Sequence, residues 1–137
     1  QQVTMEHLSA NTTSQQTFHN IVADRGKSTF NGRIHIHAGA RNSNANLSNK
    51  NIGLGANATI NTKPELEIYN DDVSCSHGAT IGQLDNDQLF YLCSRGVDPN
   101  AARQLLCEGF LQQCVGGPLA DRATAGLLEP LQGLSIQ

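Results

Sequence analysis

Apolar and polar residues alternate in short runs over roughly the first 84 positions. The clearest run is Ser28 to His37. Phe30, Ile34 and Ile36 fall on one face there, and Arg33, His35 and His37 on the other, which is the period-two pattern of a half-buried strand. Ile21-Val22, Leu47, Ile52 with Leu54, Thr59-Ile60 and Leu66-x-Ile68 give shorter apolar pieces. Val73, Cys75, His77, Ala79 and Ile81 form a last alternation. Turn residues intervene about every ten positions, so the text reads as many short strands. Both an antiparallel sandwich and a parallel β-solenoid fit it. Asn42, Asn44, Asn46, Asn49, Asn51, Asn57 and Asn61 read as corner residues and tilt the choice to the solenoid, although no strict repeat is visible. The only Asn-Gly dipeptide, Asn31-Gly32, lies inside a strand-like run instead of between two runs.

The pattern changes at Asp85. Asp85-Asn86-Asp87-Gln88 has the form of a capping box, and Leu89, Leu92 and Cys93 then recur at helical spacing. Gly96 supplies a stop, and Asp98-Pro99 restarts a helix with Asp at the N-cap and Pro at the first helical position. Ala102, Leu105, Leu106, Gly109, Phe110 and Cys114 make one stripe, ended by Gly116-Gly117-Pro118. The tail from Leu119 is expected to be partly helical over 121–129, or disordered. The expected organisation is therefore mainly β with C-terminal helices: a β-portion over 1–84 and a helical portion over 85–137. Strands first and helices after argue against a doubly wound nucleotide-binding domain, and no phosphate-binding glycine loop is present.

Composition narrows the classes. Twelve acidic and nine basic residues give a net charge of −3, and no basic run suggests a nucleic-acid partner. No apolar run approaches the roughly 20 residues of a membrane span. The chain shows no secretory pattern and does not begin with Met, which reads as a piece excised from a longer protein. The four cysteines, Cys75, Cys93, Cys107 and Cys114, match neither a disulfide framework nor a paired zinc motif, so a reducing compartment is expected. The last three fall in helical text, where Cys behaves as a small hydrophobe. Aromatics are only 4% and Trp is absent, which suits short strands with tight turns.

Candidate chemistry centres on Cys75-Ser76-His77. Thiol and imidazole two residues apart share one strand face and suit iron or a cluster. The residues alone favour the plainer reading, in which Val73, Cys75, His77, Ala79 and Ile81 are all core. His35-x-His37 offers two imidazoles for zinc or copper, but no third ligand is nearby, and a solvent-facing flank is the favoured reading. Glu65, Glu67, Asp71 and Asp72 read as a solvated strand flank and a turn.

Several long segments, in order, then resemble one family. They are Phe30-Asn31-Gly32-Arg33-Ile34, Lys63-Pro64-Glu65-Leu66-Glu67-Ile68 with Asp71-Asp72-Val73, Cys75 to Asp85 (Cys-Ser-His-Gly-Ala-Thr-Ile-Gly-Gln-Leu-Asp), and Phe90-Tyr91-Leu92 with Ser94-Arg95-Gly96. Together they resemble the C-terminal part of the SufB/SufD family of the SUF iron–sulfur cluster assembly system. The match runs from about Thr29 to Val115, with His7 and Ser9 fitting loosely. Ser-His-Gly-Ala at 76–79 is similar to the SufD branch; the SufB branch typically has a Glu-His-Glu-Ala type sequence. The resemblance implies a right-handed parallel β-helix fragment followed by a small helical domain. It implies pairing of SufD with SufB, or with itself in the fragment, and an ABC-type ATPase, SufC, bound through the helical domain. It also implies a nascent Fe-S cluster at the SufB–SufD interface, with His77 as this chain's contribution and Cys75 beside it. The outer helical residues Tyr91, Arg95, Arg103 and Phe110 are the expected ATPase-docking set. The expected role is a non-catalytic scaffold subunit, cytoplasmic in bacteria or plastid in a photosynthetic eukaryote, with no cofactor in the isolated chain. A stand-alone metal- or Cys-dependent hydrolase on a β-solenoid needs a third group converging on His77. A spacer without chemistry needs His77 buried and internally bonded.

Overall fold

The computed structural model describes residues 1–114. Six strands precede two helices: β1 (Gln2–His7), β2 (Thr13–Ala23), β3 (Lys27–Ile36), β4 (Ser43–Leu54), β5 (Thr59–Ile68), β6 (Val73–Gly82), α1 (Asn86–Ser94) and α2 (Pro99–Gln112). The strands form two three-stranded sheets, ordered β1-β3-β5 and β2-β4-β6. Neighbours in a sheet are thus alternate strands in sequence, and the hairpin pairing that an antiparallel sandwich needs is absent from this order. β1 and β3 run parallel, with Gln2 opposite Asn31 and His7 opposite Ile36. Parallel strands are covered on their inner side, and the buried residues of β3 are Phe30, Gly32, Ile34 and Ile36, as the alternation predicts.

A repeat hidden in the letters is visible in the bonds. Asn42 Nδ2 donates to Asn11 Oδ1 at 2.6 Å, Asn20 Nδ2 to Asn51 Oδ1 at 2.9 Å, and Asn46 Nδ2 to Ser76 Oγ at 2.7 Å; these pairs are 30 or 31 residues apart. Left-handed corners follow the same offset. Asn11 and Asn42 have φ of 60° and 53°, and Asp24 and Gly55 have φ of 53° and 108°. The period escapes the eye because the residue types at most other positions 31 apart differ. One expectation is corrected here. Of the seven asparagines read as corners, Asn42 is a left-handed corner and Asn57 lies in a turn, but Asn44, Asn46, Asn49, Asn51 and Asn61 sit within strands. Asn49 and Asn51 are buried and paired, which is how an amide is tolerated inside a sheet stack.

Compactness divides the chain into two units. The first comprises Gln1–Phe18, Ser28–Lys50 and Ile60–Thr80. Its core is Phe30, Ile34, Ile36, Ala40, Ala45 and Leu47, with Val3, Phe18, Leu66, Val73 and Cys75 packed against it. Gly32 occupies a core position here, and a Cβ on it would meet Phe30 Cε1 at 2.6 Å and Leu47 Cδ1 at 2.8 Å. That explains an Asn-Gly pair inside a strand: the glycine leaves room for the Phe30 ring. Gly32→Ala should destabilise the chain by about 1–3 kcal/mol through overpacking, measured by urea unfolding. An unchanged midpoint would mean that the ring relaxes freely.

The second unit comprises His19–Lys27, Asn51–Thr59 and the chain from Ile81. Among the described residues, Val22, Leu54, Ala102 and Cys107 are its buried apolar ones. Both helices start where the sequence places them. Asp85 accepts from the Asp87 and Gln88 amides at 2.8 and 3.3 Å, and Asp98 from Asn100 and Ala101 at 2.9 and 3.3 Å. Gly96, at φ 88°, closes α1. Gly116-Gly117-Pro118 and the expected helical stretch over 121–129 lie outside the described residues.

Candidate functional site at the end of a sheet

β6 closes the β2-β4-β6 sheet. Its first half is held by the core: Val73 and Cys75 are half-buried against the Phe30 cluster. From Ser76 to Gly82 every residue is exposed. His77 therefore shares a strand face with Cys75 but emerges beyond the core. Its ring makes no hydrogen bond or ion pair with another described residue. The spacer reading expects a buried, internally bonded His77, whereas the ring is exposed. Ser76, next to it, is pinned through Asn46 at 2.7 Å, which fixes the backbone that carries the imidazole.

Cys75 and His77 are thus not equivalent. Burial pushes the Cys75 thiol above its ordinary range, and a hydrogen bond from the Ala45 backbone offsets part of this. The sulfur is a protonated core atom at neutral pH, and a metal would have to displace its proton. Because the folded value is raised, the neutral thiol stabilises the fold below the ordinary thiol range and this contribution is lost as pH rises through the folded value. Iodoacetamide should accordingly modify Cys75 more slowly in the folded chain than in urea, with the fold-difference shrinking as pH rises past the ordinary thiol pKa of about 8.5. Equal rates, read peptide by peptide in a mass spectrometer, would contradict this.

The second sequence candidate resolves into imidazole–carboxylate contacts. His35 and His37 stack with ring centroids 4.2 Å apart. His35 Nδ1 lies 3.2 Å from Glu67 Oε2, and His37 Nε2 lies 3.7 Å from Glu6 Oε2, so each faces its own carboxylate. Arg33 lies 3.7 Å from Glu65 and 3.5 Å from Glu67, and Lys63 lies 2.6 Å from Glu65. The Lys63 ammonium is the main reason that the Glu65 carboxyl sits below its ordinary range. Arg33 and His35 of β3 thus face carboxylates of β5, Lys63 pairs within β5, and His37, just past β3, faces Glu6 of β1, a solvated polar ladder across β1, β3 and β5. Asp72 lies in a turn held by its amide donating to Asn70 Oδ1 at 2.9 Å. Among the described residues no three His, Cys, Asp or Glu side chains are grouped to hold a metal ion. The convergent third group that a hydrolase would need beside His77 is not among them.

On the helices, α1 has no buried residue, and Phe90 and Tyr91 are 75% and 57% exposed. Arg95 lies over the Tyr91 ring at 5.1 Å from its centroid, a cation–π pair at the surface. Leu105 of α2 is 50% exposed. Arg103 is half-buried and reaches Asn100 Oδ1 at 3.3 Å. Phe110 departs from the expected docking set. It is half-buried and stacked on His19, with centroids 4.4 Å apart and planes 18° from parallel. His19 Nδ1 also lies 2.7 Å from the Phe110 carbonyl. Sequence reading missed His19, because a single imidazole in a strand gives no sign of a partner 91 residues away. It likewise missed Phe90, which sits beside the chosen Tyr91.

Residues 1–110 match the family model described as the SUF system FeS cluster assembly, SufBD core domain. The chain belongs to the SufB/SufD family. It is 42% identical over 106 residues to the iron–sulfur cluster assembly protein SufD of Escherichia coli, covering 77% of this chain and 25% of that protein. It is 42% identical over 98 residues to the chloroplastic protein ABCI7 of Arabidopsis thaliana, covering 71% and 21%. Identity to the SufB of Bacillus subtilis is 32% over 108 residues, covering 79% and 23%. The SufB/SufD core segment here therefore spans about a quarter of the length of these relatives. No helix among the described residues is long and apolar enough to cross a membrane.

Proposed function

We propose that this chain is the C-terminal part of a SufD-type subunit that scaffolds iron–sulfur cluster assembly without catalysing a reaction of its own. Its strands wind as a right-handed parallel β-helix; the 30- to 31-residue offset of the corner and ladder bonds supports this. The subunit pairs with SufB, its paralogue, and the helical portion binds the SufC ATPase. It works in a bacterial cytosol or a plastid, and one relative is chloroplastic by name. The nascent cluster is cargo, held between the two paralogues.

The observation that carries this reading is His77, an exposed imidazole that no other described residue bonds, on a strand that ends its sheet. An end strand has unpaired backbone groups ready for another chain. β5, the end strand of the other sheet, carries Pro64, whereas β6 has no proline to interrupt added pairing. His77 offers an imidazole nitrogen to iron, while the buried Cys75 thiol still holds its proton. His77 is thus the direct contribution, and Cys75 supports the strand from within the core. Phe90, Tyr91, Arg95 and Leu105 form the exposed apolar and cationic set that suits an ATPase contact.

Diethyl pyrocarbonate tests the pairing. His77 should be modified readily in the subunit alone and protected in the assembled complex. Equal modification in both states would place the partner elsewhere.

A further inference from the structure

We infer that His19 is a positioning residue: it seats the last turn of α2, and with it the face that the ATPase partner recognises. The inference rests on the proposed ATPase contact.

α2 ends at Gln112, and the carbonyls of a last helical turn lack intrahelical donors. The amide four residues beyond Phe110 belongs to Cys114, and it bonds Leu111 instead, at 3.0 Å. The Phe110 carbonyl is thereby left to His19, whose Nδ1 is 2.7 Å away. A carbonyl only accepts, so the proton lies on Nδ1. The last turn of α2 has no basic residue of its own, and the imidazole donor supplies the positive end that a helix C-terminus favours. The same ring stacks on the Phe110 side chain. Backbone and side chain of one helical residue are therefore gripped by one imidazole. A hydrogen bond fixes height along the helix, and a stack fixes rotation about it. Together they set the direction in which Leu105 projects, on the exposed side of α2, while Ala102 and Cys107 are buried.

The test uses the full-length subunit with its paralogue and the ATPase. Three variants separate the grips: His19→Ala removes both, His19→Phe keeps the stack, and His19→Asn keeps a donor at the Nδ1 position. Amide exchange at 111–114 and the ATPase Kd are measured for each, with Phe90→Asp as a probe of the docking face. For His19→Ala, exchange should quicken by about tenfold and the Kd should weaken by about tenfold, the worth of one hydrogen bond. His19→Asn should recover part of both. Unchanged exchange in His19→Ala overturns the inference. Faster exchange with an unchanged Kd overturns it too, and Phe90→Asp then locates the fault. If Phe90→Asp also binds at full strength, the ATPase does not dock on this face. If it abolishes binding, the face is right and His19 does not position it.

Discussion

Phe30→Ala is expected to lower the stability of this chain by about 3–5 kcal/mol. Phe30 is 1% exposed and sits at the centre of the first unit's core. Its ring lies 4.8 Å from that of Phe18, tilted by 51°, within the range where aromatic pairs add to plain burial. The chain has only four phenylalanines, two tyrosines and no tryptophan. Phe18 is the one other aromatic ring among the described residues that pack this core. The surroundings are held by strand ladders, and Gly32 is already shaped to this ring, so collapse around the cavity is limited. Urea unfolding followed by circular dichroism measures the loss. A cost below about 1 kcal/mol would mean that the core closes over the cavity, against the limited collapse seen in large-to-small core series.

The sequence was legible where one local rule decides the outcome. β3 alternates without exception because one face meets the core and the other meets water, so Phe30, Ile34 and Ile36 announced themselves. The helix starts were equally plain, since Asp85 and Asp98 cap through bonds that span only two or three residues. β1 and most of β2 were hidden. Their burial alternates with polar residues such as His7 and Gln16 on the covered side, which no hydropathy pattern marks as core. His7 is 3% exposed and satisfied by Thr12 and Ser14 hydroxyls at 2.6 and 2.8 Å. The asparagines misled for a related reason: an amide suits a left-handed corner and a buried ladder alike. At the candidate site, spacing placed Cys75 and His77 on one face correctly. It could not say that the core stops between them, because that depends on where the covering strands end.

His77→Ala is the second large effect. His77 is exposed and spends nothing on its own fold, so the substitution should change stability by no more than about 0.5 kcal/mol. Folding and cluster formation should therefore respond separately to this substitution. Loss of the imidazole removes a nitrogen donor that the neighbouring protonated thiol of Cys75 cannot replace. Cluster formation should fall by at least about tenfold, since even outer-sphere partners of a metal are worth that much. Cys75→Ser, by contrast, should act mainly through packing, with a modest loss of stability and assembly retained in the folded fraction.

The most direct measurement is cluster formation on the assembled SufB–SufD-type complex with its ATPase, followed by absorbance as iron and sulfide are supplied, for wild type against His77→Ala. The account predicts an intact complex that forms little cluster. Wild-type rates of assembly in an intact His77→Ala complex would contradict it.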